Sequence, residues 1–540
     1  MAIAYQSKNF DIFLRLGYHK IMDGIKRKKG TALPDSEAPS ERNNDIYLGL
    51  QNNLPPPGNR IGNKKSAKNY GKGFLIFFII SFTITLFWVI FFSWKIHSTS
   101  KKIIITNDNN SSFVSSLKSI VAPIITNKRE ELKGEEKNRI NILLLGAAGE
   151  GKAGKNLTDT IMIMSINTQT KKLALLSLPR DLYVKIPETK SYSKINSLYQ
   201  YGLSNNEGVE TVKKSVEEIT GLDINYYLII NYDGFKKVID DLGGVNVYVE
   251  RDIYDTRFPG SNFSYETFKL EKGLHKMDGE TALKFVRERH NDPEGDFGRA
   301  KRQQNMIQAA KSKFFSFRTL LNVFALNKIL DDLGNNVKTD IQIDEIEGLL
   351  AISREVDSQN ITNAVADAWE KDSLLKVSHV FYGNIRAFIL VPRVGNWSEI
   401  QELSENIFDL DAIRRKEAEI EKENVKITVI NQSSDRQLAS KIRDLLESKM
   451  KFKSVIVKSP PTPDIREETA VYDRTGKNKI FSLNEIIKKL PARLPPEDSG
   501  IIDAREDSDL VIVLGRDLEE KYSFEEDSIE EFNKAQELEF

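Results

Sequence analysis

The sequence contains no cysteine and little histidine, and these absences narrow the chemistry open to it. A protein without cysteine has no structural disulfide, no Cys-ligated zinc, no iron–sulfur cluster and no cysteine nucleophile. The five histidines are scattered and form no HExxH motif, so a histidine-built metal site is not expected. Net charge is absent too: Lys plus Arg and Asp plus Glu both total 78, whereas nucleic-acid binders are more often basic overall. We therefore predict no nucleic-acid partner.

One long apolar run is present near the N-terminus. Residues 74–92, FLIFFIISFTITLFWVIFF, carry no charge and are long enough to cross a bilayer as a helix. A cleaved signal peptide fits poorly, because the run begins far from Met1 and no small-residue cleavage site follows closely. Basic residues are more frequent before the run than after it, which places the N-terminus in the cytoplasm. We expect a single-pass protein of the cell membrane whose residues after 95 lie outside the cytoplasm.

Composition and apolar periodicity divide the chain into seven predicted segments. They are a mostly disordered cytoplasmic arm (1–72), the transmembrane helix (73–95), a polar stalk (96–137), a large α/β domain (138–411), a charged helical linker (412–424), a small α/β domain (425–516) and an acidic tail (517–540).

Buried strands alternate with amphipathic helices in the large domain. Continuous apolar runs predict strands at 140–146, 160–167, 172–179, 226–232 and 245–249. Helical spacing predicts helices at 208–221, 235–244, 300–333, 343–354 and 397–408. The same criteria give a strand–helix–strand–helix–strand order over 425–515. The pattern indicates an α/β fold with helices around a central sheet in each domain.

Residues 284–304, KFVRERHNDPEGDFGRAKRQQ, concentrate arginine. Arg287 and Arg289 are two apart, which on an extended strand places both side chains on one face. Helical spacing places Arg299, Arg302 and Gln303 together on a following helix. Two structures fit this segment equally. One is a site for a phosphate or pyrophosphate, whose oxygens guanidinium groups bind bidentately, and the other is a salt-bridged surface helix that uses the nearby acidic residues.

Other candidate residues occur singly, and each has two explanations. Arg180 and Asp181 follow a buried strand, where α/β sheets gather ligands, but they could also form a structural ion pair. Asp159 could bind a divalent cation or cap a turn. Lys194, set among aromatic residues, could bind phosphate or be solvated.

The segment GAAGEGKA (146–153) almost matches the phosphate-binding loop of nucleotide-binding proteins. It lacks the magnesium-binding hydroxyl at Ala153, and a strand rather than a helix is predicted after it. We therefore interpret it as a glycine-rich surface loop.

The order of these motifs is more specific than any one of them. NILLLG, LTDTIM, SLPRDLYV, KINSLYQYG, INYYLIINYDGFKKVIDDLGGVNVYV, LHKMDGETALKFVRERH and DFGRAKRQQ together resemble the LytR–CpsA–Psr family over residues 138–410. Residues 425–515, opening VKITVINQSS, resemble a C-terminal domain often appended to that family. The resemblance implies a mixed central sheet flanked by helices and a membrane-anchored phosphotransferase. Such an enzyme moves a glycopolymer from a polyprenyl pyrophosphate carrier to peptidoglycan.

The resemblance also assigns roles to individual residues. In the family, the arginines and glutamine of the SxPRD, RxR and D-x-x-R-x-x-x-Q motifs hold the pyrophosphate. The residues at these motif positions are Arg180, Arg287, Arg289, Asp296, Arg299 and Gln303, and Lys194 is the lysine of a further family motif, KIN. Apart from the resemblance, the chemistry of a carboxylate allows either Asp159 or Asp181 to take the proton of the acceptor hydroxyl.

This chain departs from the family at the expected Mg²⁺ site. An aspartate that helps bind magnesium is replaced by Ala147–Ala148, so Asp159 remains as the predicted ligand and Glu150 is a possible substitute. The departure leaves a second function open, a non-catalytic binder of lipid-linked glycan or wall polymer. A third, a membrane-bound transcription attenuator, would need a DNA-binding module, and residues 1–72 show no helix-turn-helix pattern.

Overall fold

The computed structural model describes residues 131–538 except 261–263, 290–291, 315–333, 335, 357–360, 370–372, 461–463 and 496–506. The predicted cytoplasmic arm, the membrane helix over 73–95 and most of the stalk lie outside these residues. None of the helices in the described part combines the length and apolar composition that crossing a bilayer requires.

A mixed six-stranded sheet forms the centre of the first domain, as predicted. Its first three strands are β1 (Arg139–Ala147), β2 (Thr158–Asn167) and β3 (Lys172–Leu178). Three strands from later in the chain join them in the same sheet. Two short strands that follow in the chain, β4 (Tyr183–Lys185) and β5 (Tyr192–Lys194), pair with each other outside this sheet, and β6 (Tyr226–Asn231) returns to it. The sheet is completed by β11 (Val337–Thr339) and β12 (Ile361–Val365), and its order is β11-β6-β1-β2-β3-β12.

Strand direction varies within this sheet. The β1–β2 and β2–β3 pairs are antiparallel, whereas β1 is parallel to β6 and β3 is parallel to β12. The ends of β1, β3 and β6 and the start of β2 therefore meet at one edge.

Helices cover both faces of the sheet. Their bounds in the first domain are α1 (Leu198–Ser204), α2 (Glu210–Thr220), α3 (Tyr232–Asp241), α4 (Gly279–Arg287), α5 (Gly295–Phe314), α6 (Ile343–Glu355) and α7 (Ser398–Glu405). One face packs Leu143, Ile163 and Leu176 against α2 and α7. The other packs Ile142 and Leu175 near α5 and α6. Burial on both faces explains why these strands read as continuous apolar runs.

Three hairpins of the first domain were not predicted, and neither was a further antiparallel pair. The hairpins are β4–β5, β8 (Ile253–Pro259) with β9 (Tyr265–Leu270), and β13 (Leu375–Tyr382) with β14 (Ile385–Pro392), while β7 (Val245–Val249) pairs with β10 (Gly273–Met277). The β8–β9 pair has an irregular register between Asp255 and Phe258. That irregularity breaks the two-residue alternation on which strand prediction depends.

A second sheet occupies residues 426–514. Its strands are β15 (Lys426–Asn431), β16 (Ser454–Lys458), β17 (Ala470–Asp473) and β18 (Leu510–Leu514), in the order β16-β15-β18-β17. Its helices are α9 (Leu438–Ser448) and α10 (Ile480–Lys489), and α8 (Asp411–Glu423) precedes it in the chain. The antiparallel edge strand β17 is an addition to the predicted order.

A buried ion network joins the two domains. Lys489 of α10 contacts Glu399 of α7 at 3.1 Å and Glu485 at 2.6 Å, and Lys449 contacts Glu399 at 3.6 Å. These side chains are at most 9% exposed. Burial would lower the pKa of Lys489, but the two carboxylates raise it above its usual range. The contact between the two domains is therefore formed by buried, paired charges.

The acidic C-terminal segment returns to the first domain. It contains α11 (Ile529–Leu538), whose Phe532 is 1% exposed within the core beneath the first sheet. The backbone N–H of Asp527 donates to Val377 O at 2.9 Å, and the Tyr522 hydroxyl donates to Val394 O at 2.7 Å. The segment predicted from composition as an acidic tail is thus folded against β13 and its neighbours.

Candidate anion-binding site

Charged side chains gather at the sheet edge where β1, β3 and β6 end. Asp159 lies near the start of β2, and Arg180 and Asp181 follow β3. The arginine-rich segment reaches the same edge from α4 and α5. Strand topology thus brings together residues that are more than a hundred positions apart in sequence.

The local structure around Arg287 and Arg289 differs from the prediction. Residues 279–287 form helix α4 rather than a strand, because Asp278 caps it and Ala282, Leu283, Phe285 and Val286 are buried at helical spacing. Arg287 ends this helix, and the chain turns to an extended conformation at Glu288 before Arg289. The predicted common strand face for the two arginines is therefore wrong, although both line one cavity.

Helix α5 is present as predicted, but its polar residues divide between two environments. Arg299 and Gln303 line the cavity. Arg302 instead donates from Nε to Phe285 O at 3.0 Å and from its terminal nitrogens to Glu288 O and Asp292. The predicted shared face for Arg299, Arg302 and Gln303 is wrong for Arg302, which fastens the segment between α4 and α5.

Asp296 is the centre of the charged cluster. Its carboxylate oxygens lie 3.1 Å from Arg299 Nη2, 3.3 Å from Arg180 Nε and 3.6 Å from Arg289 Nη1. Burial would raise the pKa of Asp296, but Arg299, Arg180 and Arg289 hold it below its usual range. Asp296 thus stays ionised and positions three arginines.

The arginines repel one another despite this partner. Burial, and then the positive charges of Arg180 and Arg299, lower the pKa of Arg289 to about 10. A bound anion would relieve both the desolvation and the repulsion.

Two further carboxylates, those of Asp159 and Asp181, contact Arg180. Arg180 Nη1 is 3.1 Å from Asp159 Oδ1, and its Nε is 3.4 Å from Asp181 Oδ2. Lys194 Nζ is 2.6 Å from Asp181 Oδ1. The Asp181 side chain is 2% exposed and that of Asp159 is 29% exposed, so Asp159 is the carboxylate that faces the opening.

Arg287 has a different environment from the buried arginines. Its guanidinium group lies 4.8 Å from the ring centroid of Tyr232 and 5.4 Å from that of Phe258. In the described part of the chain it forms no ion pair with a carboxylate. The two aromatic faces hold a cation in place while leaving its hydrogen-bond donors available. Sequence reasoning missed Tyr232 and Phe258, because only the fold brings them to Arg287.

An apolar cavity of about 620 Å³ extends from this cluster between the sheet and its helices. Its polar end carries Asp159, Arg287, Arg289, Arg299 and Gln303. Aliphatic and aromatic side chains line the rest, among them Leu144, Met164, Leu228, Phe235, Val238, Ile239, Leu242, Leu283 and Met306. The cavity suits a ligand with an anionic head and an apolar tail.

Asp159, the predicted magnesium ligand, and Glu150, its possible substitute, each contact a cationic side chain. Within the described residues, no group of three His, Cys, Asp or Glu side chains could hold a metal ion. Asp159 is bonded to Arg180, Glu150 faces Lys155 at 3.1 Å, and Ala147 and Ala148 are buried without an oxygen ligand in their side chains. Magnesium binding at Asp159 stays a prediction, since Mg²⁺ commonly uses one or two carboxylates together with substrate phosphates.

The glycine-rich loop 146–153 leads into β2, so the helix that a phosphate-binding loop requires is absent there. Lys152 pairs with Asp233 of α3 at 2.6 Å. Its ammonium group is thereby directed to a carboxylate, which agrees with the interpretation as a surface loop.

The cap of α4 gives a test of how Arg287 is positioned. Asp278 Oδ1 accepts from Thr281 N at 2.8 Å, and the Thr281 hydroxyl and N–H lower the pKa of Asp278. Asp278→Ala should cost about 1 kcal/mol of stability at neutral pH. Because the folded pKa is lowered, this contribution is present above the unfolded pKa of about 3.9 and is lost as pH falls through the folded pKa.

Thermal or chemical unfolding from pH 7 to pH 3 measures this effect. Asp278→Asn keeps the oxygen acceptor and should remain close to the native stability at pH 7. A difference between native and Asp278→Ala that stays constant down to pH 3 would contradict an ionised cap.

Comparison with known proteins gives matches to part of this chain. The model of the LytR_cpsA_psr family matches residues 98–378. A polyisoprenyl-teichoic acid–peptidoglycan teichoic acid transferase, TagU of Oceanobacillus iheyensis, is 38% identical over 218 residues, which are 40% of this chain and 63% of that protein. The chain therefore covers less than two thirds of that relative.

Two further matches extend the comparison. Regulatory protein MsrR of Staphylococcus aureus is 33% identical over 247 residues, which are 45% of this chain and 70% of that protein. Among solved structures, TagV of B. subtilis is 26% identical with a TM-score of 0.40, over 51% of this chain and 98% of that one.

Proposed function

Since the chain belongs to the LytR_cpsA_psr family, we propose that it is a membrane-anchored phosphotransferase that attaches a polyprenyl-pyrophosphate-linked glycopolymer to peptidoglycan. The observation that carries the proposal is the apolar cavity ending at Arg287, Arg289 and Arg299. A polyprenyl pyrophosphate has the matching chemistry, a long apolar tail joined to two phosphates. TagU, whose name specifies teichoic acid transfer to peptidoglycan, is a relative over 218 residues.

Each part of the donor has a matching part of the site. The polyprenyl chain occupies the apolar cavity, where burial of its surface provides affinity. Arg287, Arg289 and Arg299 bind pyrophosphate oxygens, and the Gln303 amide adds a neutral donor. Arg180 is 7% exposed behind Asp159 and Asp296, so it acts as a positioning residue.

The reaction needs positioning and charge neutralisation more than covalent catalysis. An acceptor hydroxyl oxygen forms a bond to the phosphorus that carries the glycan. The bond from this phosphorus to the bridging oxygen breaks, and polyprenyl monophosphate leaves with that oxygen. The arginines stabilise the charge that develops on the phosphate oxygens.

Asp159 is the better placed of the two candidate proton acceptors. It faces the cavity, whereas Asp181 is buried and bonded to Lys194 and Arg180. In this scheme Asp159 takes the proton of the acceptor hydroxyl, and Asp181 holds Lys194 and Arg180 in position.

A lipid-borne donor requires the site to stand next to a membrane. The apolar segment 74–92 and its basic N-terminal flank support a single-pass anchor with the enzyme domain outside the cytoplasm. Protease added to intact protoplasts should remove the C-terminal part and spare residues 1–72. A protected C-terminus would refute this topology.

Transfer is tested with the full chain in vesicles, a labelled polyprenyl-pyrophosphate-linked teichoic acid and isolated peptidoglycan. The proposal expects label in peptidoglycan and release of polyprenyl monophosphate. Donor that binds but is never transferred would establish a glycan-binding protein in place of an enzyme.

A further inference from the structure

A group of aromatic side chains begins next to the charged cluster. In the β4–β5 hairpin, Tyr183 lies opposite Lys194, and Lys185 lies opposite Tyr192. Residues that are paired or two apart share one face, so these four side chains point the same way. The rings of Tyr183 and Tyr192 stack with centroids 5.5 Å apart and planes 24° apart. This face starts at Lys194, which is bonded to Asp181 of the site.

Two later parts of the chain extend this surface. Burial, and then the neighbouring Tyr382 hydroxyl, raise the pKa of Tyr183, which places Tyr382, at the tip of the β13–β14 hairpin, beside Tyr183. Phe524, in the C-terminal segment, packs edge-on to Tyr183 with centroids 6.1 Å apart. Tyr183, Tyr192, Tyr382 and Phe524 form what we call the aromatic platform. Tyr382 and Phe524 lie beyond residues 98–378, so the platform combines the family domain with parts that follow it.

The platform and the apolar cavity lie on opposite faces of the sheet. Leu182 and Val184, the inward residues beside Tyr183, pack into the core with Leu143 and Ile163. Leu144 and Met164, which point to the other face, line the cavity. Asp159, which lines the cavity, and Lys194, which shares the platform face, lie at the same end of the sheet, joined through Arg180 and Asp181.

The platform remains open to solvent despite its aromatic content. Tyr192 is 45% exposed and Tyr382 is 51% exposed. Exposed charges of both signs stand nearby, such as Lys185 and Glu525. A strongly anionic polymer would be matched by a predominantly basic surface, and this mixed surface fits an uncharged chain better.

We propose that the aromatic platform binds the glycan strand of the acceptor, a chain of neutral N-acetylated hexosamines, and so presents its hydroxyl to the site. The inference rests on the proposed function. In-line displacement puts the attacking and leaving oxygens on opposite sides of the phosphorus. With the lipid phosphate leaving toward the cavity, the acceptor arrives from the other face of the sheet, where the platform lies. Sugar C–H groups pack on aromatic faces because the ring faces are electron-rich.

The test measures glycan binding directly, without a transfer step. The full chain in detergent micelles is titrated with a soluble tetramer of β-1,4-linked N-acetylglucosamine and, separately, with poly(glycerol phosphate). Tyr192→Ala and Tyr382→Ala should each weaken tetramer binding by roughly three- to tenfold. Tyr192→Phe keeps the ring and should bind like the native protein. Tyr248→Ala is the matched control, because Tyr248 is 51% exposed but lies on β7, outside the platform.

The outcomes separate this inference from the proposed function. Tetramer binding that depends on Tyr192 and Tyr382 and not on Tyr248 supports the platform. Failure of the native protein to bind the tetramer, or equal binding by all variants, overturns it even where transfer is observed. A preference for poly(glycerol phosphate) also overturns the acceptor assignment. Tetramer binding by a protein without transfer activity would refute only the proposed function.

Discussion

Arg287→Ala should lower the rate of glycopolymer transfer by roughly ten- to a hundredfold and leave the melting temperature close to native. Arg287 is held by the faces of Tyr232 and Phe258 and not by a carboxylate among the described residues. Its removal therefore abolishes charge-assisted hydrogen bonds to the pyrophosphate without leaving a buried acid unpaired. Such bonds contribute about 1.5–3 kcal/mol each.

Two variants make the measurement specific. Arg287→Lys should recover activity only in part, because lysine keeps the charge and loses the planar fork. Lys301→Ala removes a cation from the same segment, but Lys301 pairs at 2.6 Å with Glu294 and both are well exposed, so transfer and stability should hardly change. If the Arg287→Ala variant has a lowered melting temperature but transfers at the native rate per folded molecule, the arginines stabilise the fold and do not bind the pyrophosphate.

The opposite result is expected for Arg302→Ala, which should cost about 3–5 kcal/mol of stability. Arg302 is 8% exposed and holds the carboxylate of Asp292 and the backbone of Phe285 and Glu288. Without it, a fully buried Asp292 side chain keeps Arg251 but loses a cation, and two carbonyl groups lose a donor. Chemical unfolding of the full chain, beside Lys301→Ala as the neighbouring control, measures this loss.

Transfer by the Arg302 variant should fall only as far as the folded fraction falls. A native-like unfolding curve combined with lost transfer would place Arg302 at the pyrophosphate. The pair Arg287 and Arg302 thus tests whether two arginines of one short segment have separate roles.

Arg289→Ala should combine both effects. Arg289 lines the cavity but is also 6% exposed beside Asp296. Removing it takes a donor from the pyrophosphate and a cation from a buried acid. Its loss of transfer is therefore harder to assign than that of Arg287.

The central strands were predictable because each is buried on both faces. β1, β2, β3 and β6 begin and end within about two residues of the apolar runs that predicted them. The hairpins were not predictable from the sequence. Strands β8 and β13 are partly exposed, and tertiary contacts determine which strand each of them pairs with. For the same reason, local spacing alone suggested a strand for Arg287 and Arg289, whereas the cap at Asp278 and four buried apolar residues form a helix.

The sequence predicted which residues lie at the candidate site better than it predicted the contacts that they make there. Motif order pointed to the arginines, and the fold does gather Arg180, Arg289 and Arg299 around Asp296. Local spacing could not show that Arg302 turns away or that Tyr232 and Phe258 support Arg287. Those contacts join segments far apart in sequence, and no local pattern encodes them.

The return of the C-terminal segment to the first domain has a consequence for the order in which the protein acquires its structure. A chain emerging from the ribosome usually folds its N-terminal domain before the rest is made. Here Phe532 belongs to the core of the first domain and the Tyr522 hydroxyl donates to Val394 O, so that domain lacks part of its interior until residues 522–532 have been synthesised. A prematurely terminated chain would carry an exposed apolar site in place of Phe532.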